Sequence, residues 1–367
     1  MAQYPRVALC LGDGGNVELF LPIIPALRDS CYLSILVDPK SAGLKLLEKN
    51  KIEHTVTNGA DVDWASFKLI VTGTNGKVFD LWIAATENGE DFDIPVLWCG
   101  DFEGSGCEEK VKRLIPTWIT ALNKYSKERL VQVRPDVRPT DIFVTGNPAF
   151  DELHKMAAFA PNFAERVRNR LGIGENPFVF YAASSSAQFE LVEESLLPTL
   201  TWAKMRGVRF LADFHPADPK RDALRALVKD ELGVLLVEDN DMHSKMELAL
   251  ASNVMVTDYS TVGYKAALVG ATVAFIMGPS ARKYQESRGM VPPYFSILDR
   301  ERGVGGIPVA LPIFDPEDIG LGLDTLMREP HYRELMSNAR NKGEFSGMID
   351  GKAGERVKNL IETLVRS

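Results

Sequence analysis

The stretch RVALCLGDGGNVELF, residues 6–20, contains an apolar run, a glycine-rich turn and the start of an amphipathic segment. Residues 7–11 are continuously apolar, which is typical of a strand buried on both faces of a parallel sheet. The glycines that follow permit a tight turn, and the next segment has helical spacing. The stretch therefore predicts the first βα unit of a doubly wound α/β domain.

The same alternation of apolar strand and helical segment continues along the chain. Strands are predicted at residues 33–37, 69–72, 96–99, 118–122 and 142–144, and then at 178–182, 208–214, 234–237, 254–256 and 273–276. Two consecutive helical segments without an intervening strand, after the GNP at 146–148, separate the two series. We predict two Rossmann-like parallel-sheet domains facing across a cleft, residues 1–150 and 151–350, with a C-terminal helix within 351–367 that crosses back to the first domain.

Bulk composition excludes several classes of protein. A chain of 367 residues exceeds what one hydrophobic core usually supports, which agrees with two domains. The formal net charge of -8 argues against nucleic acid or an anionic membrane surface as the main partner. No apolar run approaches the roughly 20 residues of a membrane span. The four cysteines lack metal-like spacing, so we expect free thiols and a cytoplasmic location.

Ligands of open parallel sheets bind at the carboxyl ends of the strands, so the first turn is a candidate site. Gly14 and Gly15 allow backbone N–H groups to approach an anion, and Asp13 is either a general base or a helix cap. The turn lacks the GxGxxG order of NAD-binding folds. The GTNGK at 73–77 lacks the Ser or Thr of an ATP-binding P-loop. We expect no cofactor.

An acidic segment, CGDFEGSGCEE at residues 99–109, follows another predicted strand. Carboxylates crowded into a partly desolvated site repel one another, which raises the pKa of one of them and prepares a base. Asp101 and Glu103 are the candidates. The alternative for Glu108 and Glu109 is that they stabilise the start of the next helix through its dipole.

Polar residues follow the remaining strands and are candidates for binding a nucleotide and its phosphates: Asn147, Ser184, Ser185, His215, Ser260 and Thr261. The hydroxyls of Ser260 and Thr261 precede a helix whose free N–H groups would attract a diphosphate. Asp258 is expected to shape this turn. The serines at 184 and 185 could instead be ordinary helix caps, and a lone histidine is often structural.

Several of these segments resemble the GT-B superfamily, specifically UDP-N-acetylglucosamine 2-epimerases and CDP-glycerol glycerophosphotransferases. Residues 141–153, DIFVTGNPAFDEL, and 21–27, LPIIPAL, are similar to epimerase segments. His215 in residues 214–216, FHP, occupies the place of the family histidine near the phosphates. Residues 258–270, DYSTVGYKAALVG, resemble the phosphate-binding turn and helix of the glycerophosphotransferases. In this last segment, epimerases have paired glycines and an acidic residue instead of Ser260, Thr261 and Lys265.

The resemblance implies a glycosyltransferase of GT-B type that needs no metal ion. It would transfer a sugar, or a sugar-like or glycerophosphate group, from a nucleotide-activated donor to a hydroxyl of a polyol or glycan acceptor. Asp13, Asp101 and Glu103 would be the candidate catalytic bases. Two alternatives stay open: an enzyme like the non-hydrolysing UDP-N-acetylglucosamine 2-epimerases, and a non-catalytic protein that binds nucleotide sugars.

Overall fold

The computed structural model describes residues 4–74, 79–184, 189–214, 221–229, 234–236 and 242–366. The chain divides into two compact units. Unit 1 comprises Met1–Glu152, Ser287–Met290 and Gly347–Ser367, and unit 2 comprises Leu153–Glu286 and Val291–Ser346. The strands of each unit form one parallel sheet.

The sheet of unit 1 is built from β1 (Arg6–Leu11), β2 (Tyr32–Val37), β3 (Thr55–Val56), β4 (Leu69–Thr74), β5 (Val96–Gly100), β6 (Trp118–Ala121) and β7 (Ile142–Val144). Their order across the sheet is β3-β2-β1-β4-β5-β6-β7, and every pair is parallel. The direction of winding reverses between β1 and β4. Ligands of doubly wound sheets bind at such a switch point.

Helices cover both faces of this sheet: Gly14–Phe20, Ile24–Arg28, Leu44–Lys49, Asp80–Asp91, Lys124–Val133 and Ala353–Leu364. Side chains of β1 alternate between two apolar clusters, because successive residues of a strand point to opposite faces. Ala8 and Cys10 belong to one cluster, and Val7, Leu9 and Leu11 belong to the other. A strand buried on both faces explains the continuously apolar run in the sequence.

The helix Ala353–Leu364 is an integral part of unit 1. Its Val357 and Ile361 are buried in the same cluster as β1. The carboxylate of Asp151 accepts hydrogen bonds from the N–H groups of Ala353 and Gly354, at 2.9 and 2.8 Å. These bonds satisfy N–H groups that have no acceptor within the helix, and the negative charge suits the helix N-terminus.

The sheet of unit 2 is built from β8 (Phe178–Ala182), β9 (Arg209–Asp213), β10 (Val234–Leu236), β11 (Val254–Thr257), β12 (Val273–Ile276) and β13 (Leu311–Ile313). Their order is β10-β9-β8-β11-β12-β13, again with parallel pairs. Its α-helices are Asp151–Ala158, Ala160–Arg170, Phe189–Leu191, Leu197–Arg206, Arg221–Lys229, Met242–Ala251, Thr261–Val269, Pro279–Ser287, Ile319–Arg328, Pro330–Arg340 and Gly343–Met348. The two sheets therefore share one winding order.

These observations confirm the predicted fold class of two Rossmann-like α/β domains. The expected cleft between them stays a prediction. The helical spacing after the first turn predicts one helix over residues 18–29, but the structure has two short helices, since Pro22 and Pro25 lie within the segment. The spacing after β8 predicts one helix over residues 189–205, and the structure shows a π-helical turn, Val192–Leu196, within it. The short edge strands β3 and β13 are absent from the sequence prediction.

No helix within the described ranges combines the length and the apolar character needed to cross a membrane. All four cysteines are buried and unpaired. Burial raises the pKa of Cys31 to about 11, so this side chain is a neutral thiol at neutral pH.

Candidate functional site

The turn after β1 is fixed to the neighbouring strand end by Asn16. Asp13 caps the helix Gly14–Phe20, since its Oδ1 accepts a hydrogen bond from the Asn16 N–H at 2.9 Å. The buried Asn16 amide accepts from the Gly12 N–H at 3.2 Å and donates to the Thr74 carbonyl at 3.3 Å. Asp13 is therefore a helix cap as well as a candidate base.

Asp101 follows β5 directly and lies against the turn after β1. Its Oδ1 accepts a hydrogen bond from Ser105 Oγ at 2.7 Å. A Cβ atom added to Gly15 would lie 2.8 Å from Asp101 Oδ2 and 3.4 Å from Asp13 Oδ1. Because Gly15 has no side chain, the carboxylates of Asp13 and Asp101 can both lie close to the backbone at this position. Gly14 has open space around it, so the described structure imposes no such requirement there.

Two carboxyl groups of this loop have pKa values shifted toward neutrality. Burial and the charge of Asp13 together raise the pKa of Asp101 to about 8, against the Ser105 hydrogen bond and the charge of Arg288. Burial likewise raises the pKa of Glu108 to about 7, against the Gly106 N–H and Arg288. Groups with such pKa values exchange protons readily near neutral pH.

Glu103 is held in the interior of unit 1. It is 1 % exposed, and its Oε1 accepts a hydrogen bond from Asn123 Nδ2 at 2.7 Å. Asn123 in turn caps the helix Lys124–Val133 through the Ser126 N–H at 2.8 Å. The structure therefore anchors Glu103 to the end of β6.

Asn147 links the end of β7 to the loop after β5. Its Nδ2 donates to the Asp101 carbonyl at 2.6 Å, and its Oδ1 accepts from the Ala149 N–H at 2.8 Å. Both ends of this buried amide thus hydrogen-bond within the protein. The nucleotide contact expected of Asn147 stays a prediction, while the structure gives it a role in placing Asp101.

In unit 2, Ser184 and Asp258 join the ends of β8 and β11. The Ser184 N–H and Oγ donate to the Asp258 carboxylate at 3.1 and 2.9 Å, and the Tyr259 N–H donates to it at 2.7 Å. Burial raises the pKa of Asp258 to about 6 although these bonds lower it. Asp258 shapes the turn, and the Ser184 hydroxyl already has a protein partner.

Ser260 and Thr261 begin the helix that follows β11. Ser260 Oγ accepts a hydrogen bond from the Val262 N–H at 3.2 Å and so caps the helix Thr261–Val269, whose first turn contains no acidic residue. Thr261 is exposed. The first N–H groups of a helix lack intrahelical acceptors and give its end a partial positive charge, which favours phosphate oxygens.

The other sequence candidates, Ser185 and His215, lie outside the described residues, as do residues 75–78 of the GTNGK segment. Asn123 and Arg288 were missed by the sequence reasoning. The capping rule identifies Asn123, because it follows a strand and precedes a helix. No local pattern identifies Arg288, whose Nη2 lies 3.9 Å from Glu108 Oε1. Across the described ranges, no cluster of His, Cys, Asp and Glu is arranged to hold a metal ion.

Comparisons with known proteins extend this description. Residues 117–299 match the family described as CDP-glycerol:poly(glycerophosphate) glycerophosphotransferase. UDP-GlcNAc 2-epimerase from Neisseria meningitidis is 14% identical, with a TM-score of 0.66 over 99% of this chain and 100% of that chain. The epimerase from Methanocaldococcus jannaschii is also 14% identical, with a TM-score of 0.66 over 98% and 99%.

The wall teichoic acid polymerase TagF is 15% identical, with a TM-score of 0.57 over 98% of this chain and 88% of that chain. No curated protein matches the sequence. At these identities the solved structures establish the fold, and with the family match they support the resemblance to the epimerases and the glycerophosphotransferases. Together with the family match, they support a nucleotide-activated transferase as the class of protein. Within that class, the matched region resembles the glycerophosphotransferases and includes Asn123, Ser260 and Arg288.

Proposed function

We propose that the protein transfers a group from a nucleotide-activated donor to an acceptor hydroxyl. Glycerophosphate carried by CDP-glycerol is the first donor to test, and a sugar carried by a nucleoside diphosphate is the second. The family match at residues 117–299 supports the first choice, because it includes the turn and helix that begin at Ser260. A polyol or a glycan would be the acceptor.

The observation on which the proposal depends is the start of the helix Thr261–Val269. Its capping hydroxyl, its free N–H groups and the absence of an acidic residue in its first turn suit two linked phosphates. Preorganised donors of this kind stabilise the negative charge that develops on a leaving phosphate. The Ser260 and Thr261 hydroxyls and the helix N-terminus are therefore assigned to the donor.

The carboxylate of Asp101 is assigned to the acceptor as general base. Its pKa of about 8 lies close to neutral pH, which favours both proton uptake and proton release. The acceptor oxygen would attack the glycerol-linked phosphorus of CDP-glycerol, or C1 of a nucleotide sugar. The bond from that atom to the bridging phosphate oxygen then breaks, the nucleotide leaves with the electron pair, and Asp101 takes the hydroxyl proton. Asp13 and Glu103 are the other candidates for this role.

The proposal assigns no step to a metal ion, because the helix N-terminus and its hydroxyls stabilise the leaving group. We therefore expect turnover to be unchanged after treatment with EDTA and removal of the chelator by gel filtration. A loss of turnover that added Mg²⁺ restores would contradict this part of the proposal.

The experiment begins with a thermal-shift screen of the full chain against UDP, CDP, GDP, TDP and CMP. A ligand at 100 times its Kd stabilises a protein by about 2.7 kcal/mol, so the screen ranks the nucleotides. The best nucleotide then selects the donors for a turnover assay with glycerol, glycerol phosphate and oligosaccharides as acceptors. The absence of both stabilisation and turnover with every donor would overturn the proposal.

A second candidate function is epimerisation at C2 of UDP-N-acetylglucosamine. The specific observation in its favour is that Asp101 and Glu108 both have pKa values near neutrality, as an acid and base pair requires. Proton NMR of UDP-N-acetylglucosamine incubated with the protein in D₂O distinguishes the two functions. Deuterium at C2 without any acceptor would indicate epimerisation. Nucleotide binding without any product would instead indicate the non-catalytic alternative.

A further inference from the structure

The segment Ser287–Met290 belongs to unit 1 although its neighbours in sequence belong to unit 2. Arg129 Nη2 donates a hydrogen bond to the Gly289 carbonyl at 3.0 Å. A Cβ atom on Gly289, whose φ is +77°, would lie 2.7 Å from the Cys107 carbonyl oxygen. The segment is therefore packed tightly against the loop of residues 101–109.

A second contact lies at the other end of the same loop. Met290 is 3 % exposed, and a Cβ atom on Gly104 would lie 2.0 Å from its Sδ. Glycine at 104 thus allows the methionine to sit directly on the loop backbone. Directly before these two residues in sequence, the segment places Arg288 beside Glu108.

Arg288 faces a carboxylate that is poorly satisfied in other respects. Glu108 is 5 % exposed, and its Oε2 accepts a hydrogen bond from the Gly106 N–H at 2.9 Å. Its Oε1 is buried and accepts no hydrogen bond, and Arg288 Nη2 lies 3.9 Å from it. A buried carboxylate keeps its charge only when hydrogen bonds or a nearby cation compensate for lost hydration.

The charge of Arg288 also acts on Asp101, whose pKa it lowers while Asp13 and Glu108 raise it. Arg134 also lowers the pKa of Glu108, and it is already paired with Asp136 through hydrogen bonds at 3.0 and 3.1 Å from its Nε. Both carboxyl groups would thus lose a stabilising charge if Arg288 were neutral.

We propose that Arg288 is a positioning residue that acts through Glu108 and Asp101, and that its charge keeps an ionised carboxylate available in the loop of residues 101–109 at neutral pH. The inference deepens the proposed function, since Asp101 is the base assigned there. Under this proposal, the segment Ser287–Met290, which is distant in sequence from the loop, controls the pH range in which the site works.

The test is a pH titration of the full chain by infrared spectroscopy, which detects the C=O stretch of buried protonated carboxyl groups without any substrate. D101N and E108Q assign the two bands. In R288M, which has a neutral side chain, we expect both midpoints to rise by at least about one pH unit, in line with the effect of a nearby charge on a carboxyl pKa. R288K should keep both midpoints close to those of the natural protein because it keeps the charge.

Lys283→Gln is the matched control, because it removes a positive charge from an exposed position on the neighbouring helix Pro279–Ser287. It should leave both midpoints unchanged. Unchanged midpoints in R288M, or a shift in R288K as large as that in R288M, would overturn the proposal. If R288M does not fold, E108Q decides: it leaves Arg288 in place and removes a negative charge near Asp101, so the Asp101 midpoint should fall, and an unchanged midpoint overturns the proposal.

The activity assay then separates this inference from the proposed function. If a donor is turned over, the pH profile of kcat/KM in R288M should move upward by the same amount as the Asp101 midpoint. If no donor is turned over, the proposed function fails, while the infrared midpoints still decide whether Arg288 controls the two carboxyl groups.

Discussion

The sheets of unit 1 and unit 2 have the same strand order, but the candidate residues at their carboxyl ends have opposite electrostatics. At the carboxyl end of the first sheet, Asp13, Asp101 and Glu108 are brought together, and burial raises the pKa of two of them. At the carboxyl end of the second sheet, Ser260 and Thr261 begin a helix without an acid in its first turn. One topology thus places carboxyl groups with raised pKa values in unit 1 and a hydroxyl-capped helix N-terminus in unit 2.

The two units differ in how the carboxylates at the ends of their strands are hydrogen-bonded. In unit 2, the carboxylate of Asp258 accepts hydrogen bonds from Ser184 and Tyr259, and these bonds compensate for its charge within the turn. In unit 1, Asp101 accepts one side-chain hydrogen bond, from Ser105, and lies near a second carboxylate. Loops attached to the same scaffold therefore determine the chemistry of each half.

The largest effect should come from removing the base of unit 1. In D101N, we expect turnover to fall by about 10²–10⁴-fold, the usual contribution of general base catalysis, while donor affinity is unchanged. The measurement is kcat and Kd for the best donor of the screen. D93N is the control, since Asp93 is an exposed residue that precedes the same strand. An equal loss in both variants would contradict the role of Asp101.

A carboxylate added to the helix N-terminus of unit 2 tests whether the absence of an acid there matters for nucleotide binding. In T261E, the new charge would lie at the helix N-terminus where we place phosphate, so nucleotide affinity should fall by about 10-fold or more. The free energy of unfolding should stay level or rise by about 0.3–1 kcal/mol, because an acid suits this helix end. T261Q, with a neutral side chain of the same length, is the control, and calorimetric titration with the nucleotide is the measurement. Equal nucleotide affinity of T261E and T261Q would contradict the assignment of the phosphates to this helix N-terminus.

The hydrogen bond between Ser184 and Asp258 should contribute to stability in a pH-dependent way. We expect S184A to lower the free energy of unfolding by about 1–2 kcal/mol at pH 7.5, where Asp258 is ionised. The loss should be smaller at pH 5, because the bond favours the charged form and the pKa of Asp258 is about 6. Denaturant unfolding at both pH values tests this, with the exposed Ser346→Ala as control. A loss independent of pH would show that the hydroxyl does not support the carboxylate.

The last prediction concerns the stability of unit 1. Asp101 binds its proton more tightly in the folded state than in the unfolded state. Its contribution to stability is therefore complete below the ordinary carboxyl pKa and is lost as the pH rises through about 8. The stability of D101N relative to the natural protein should rise by at least about 1.4 kcal/mol between pH 5 and pH 9. D93N should show no such trend, and a constant difference for D101N would contradict the raised pKa.

Much of the fold could be predicted from the sequence because the central strands are buried on both faces. The strands β7, β8 and β12 agree with their apolar runs residue for residue, and β1 extends its run by Arg6 alone. The edges of the sheets could not be predicted in this way. In β3 both residues are exposed, and β13 contains a proline, so neither has the pattern of a central strand.

The sequence could point to candidate residues that lie within three positions of a strand end, as Asp13, Asp101 and Ser260 do. The site was not predictable where chemistry depends on a distant part of the chain. The contacts of Asn147 with the Asp101 backbone and of Arg288 with Glu108 join residues that no local spacing relates. The engagement of Ser184 by Asp258 likewise needed three-dimensional contacts to be seen.

The docking of the helix Ala353–Leu364 onto the first sheet has a consequence for synthesis of the chain. Val357 and Ile361, which complete an apolar cluster of unit 1, leave the ribosome after the strands of unit 2 have been made. Until this helix has been made, the apolar side chains of the first sheet that contact Val357 and Ile361 have no partner from it. The strands of the second sheet have all been made by that point. The unit whose strands are made first is therefore the one whose apolar cluster is completed last.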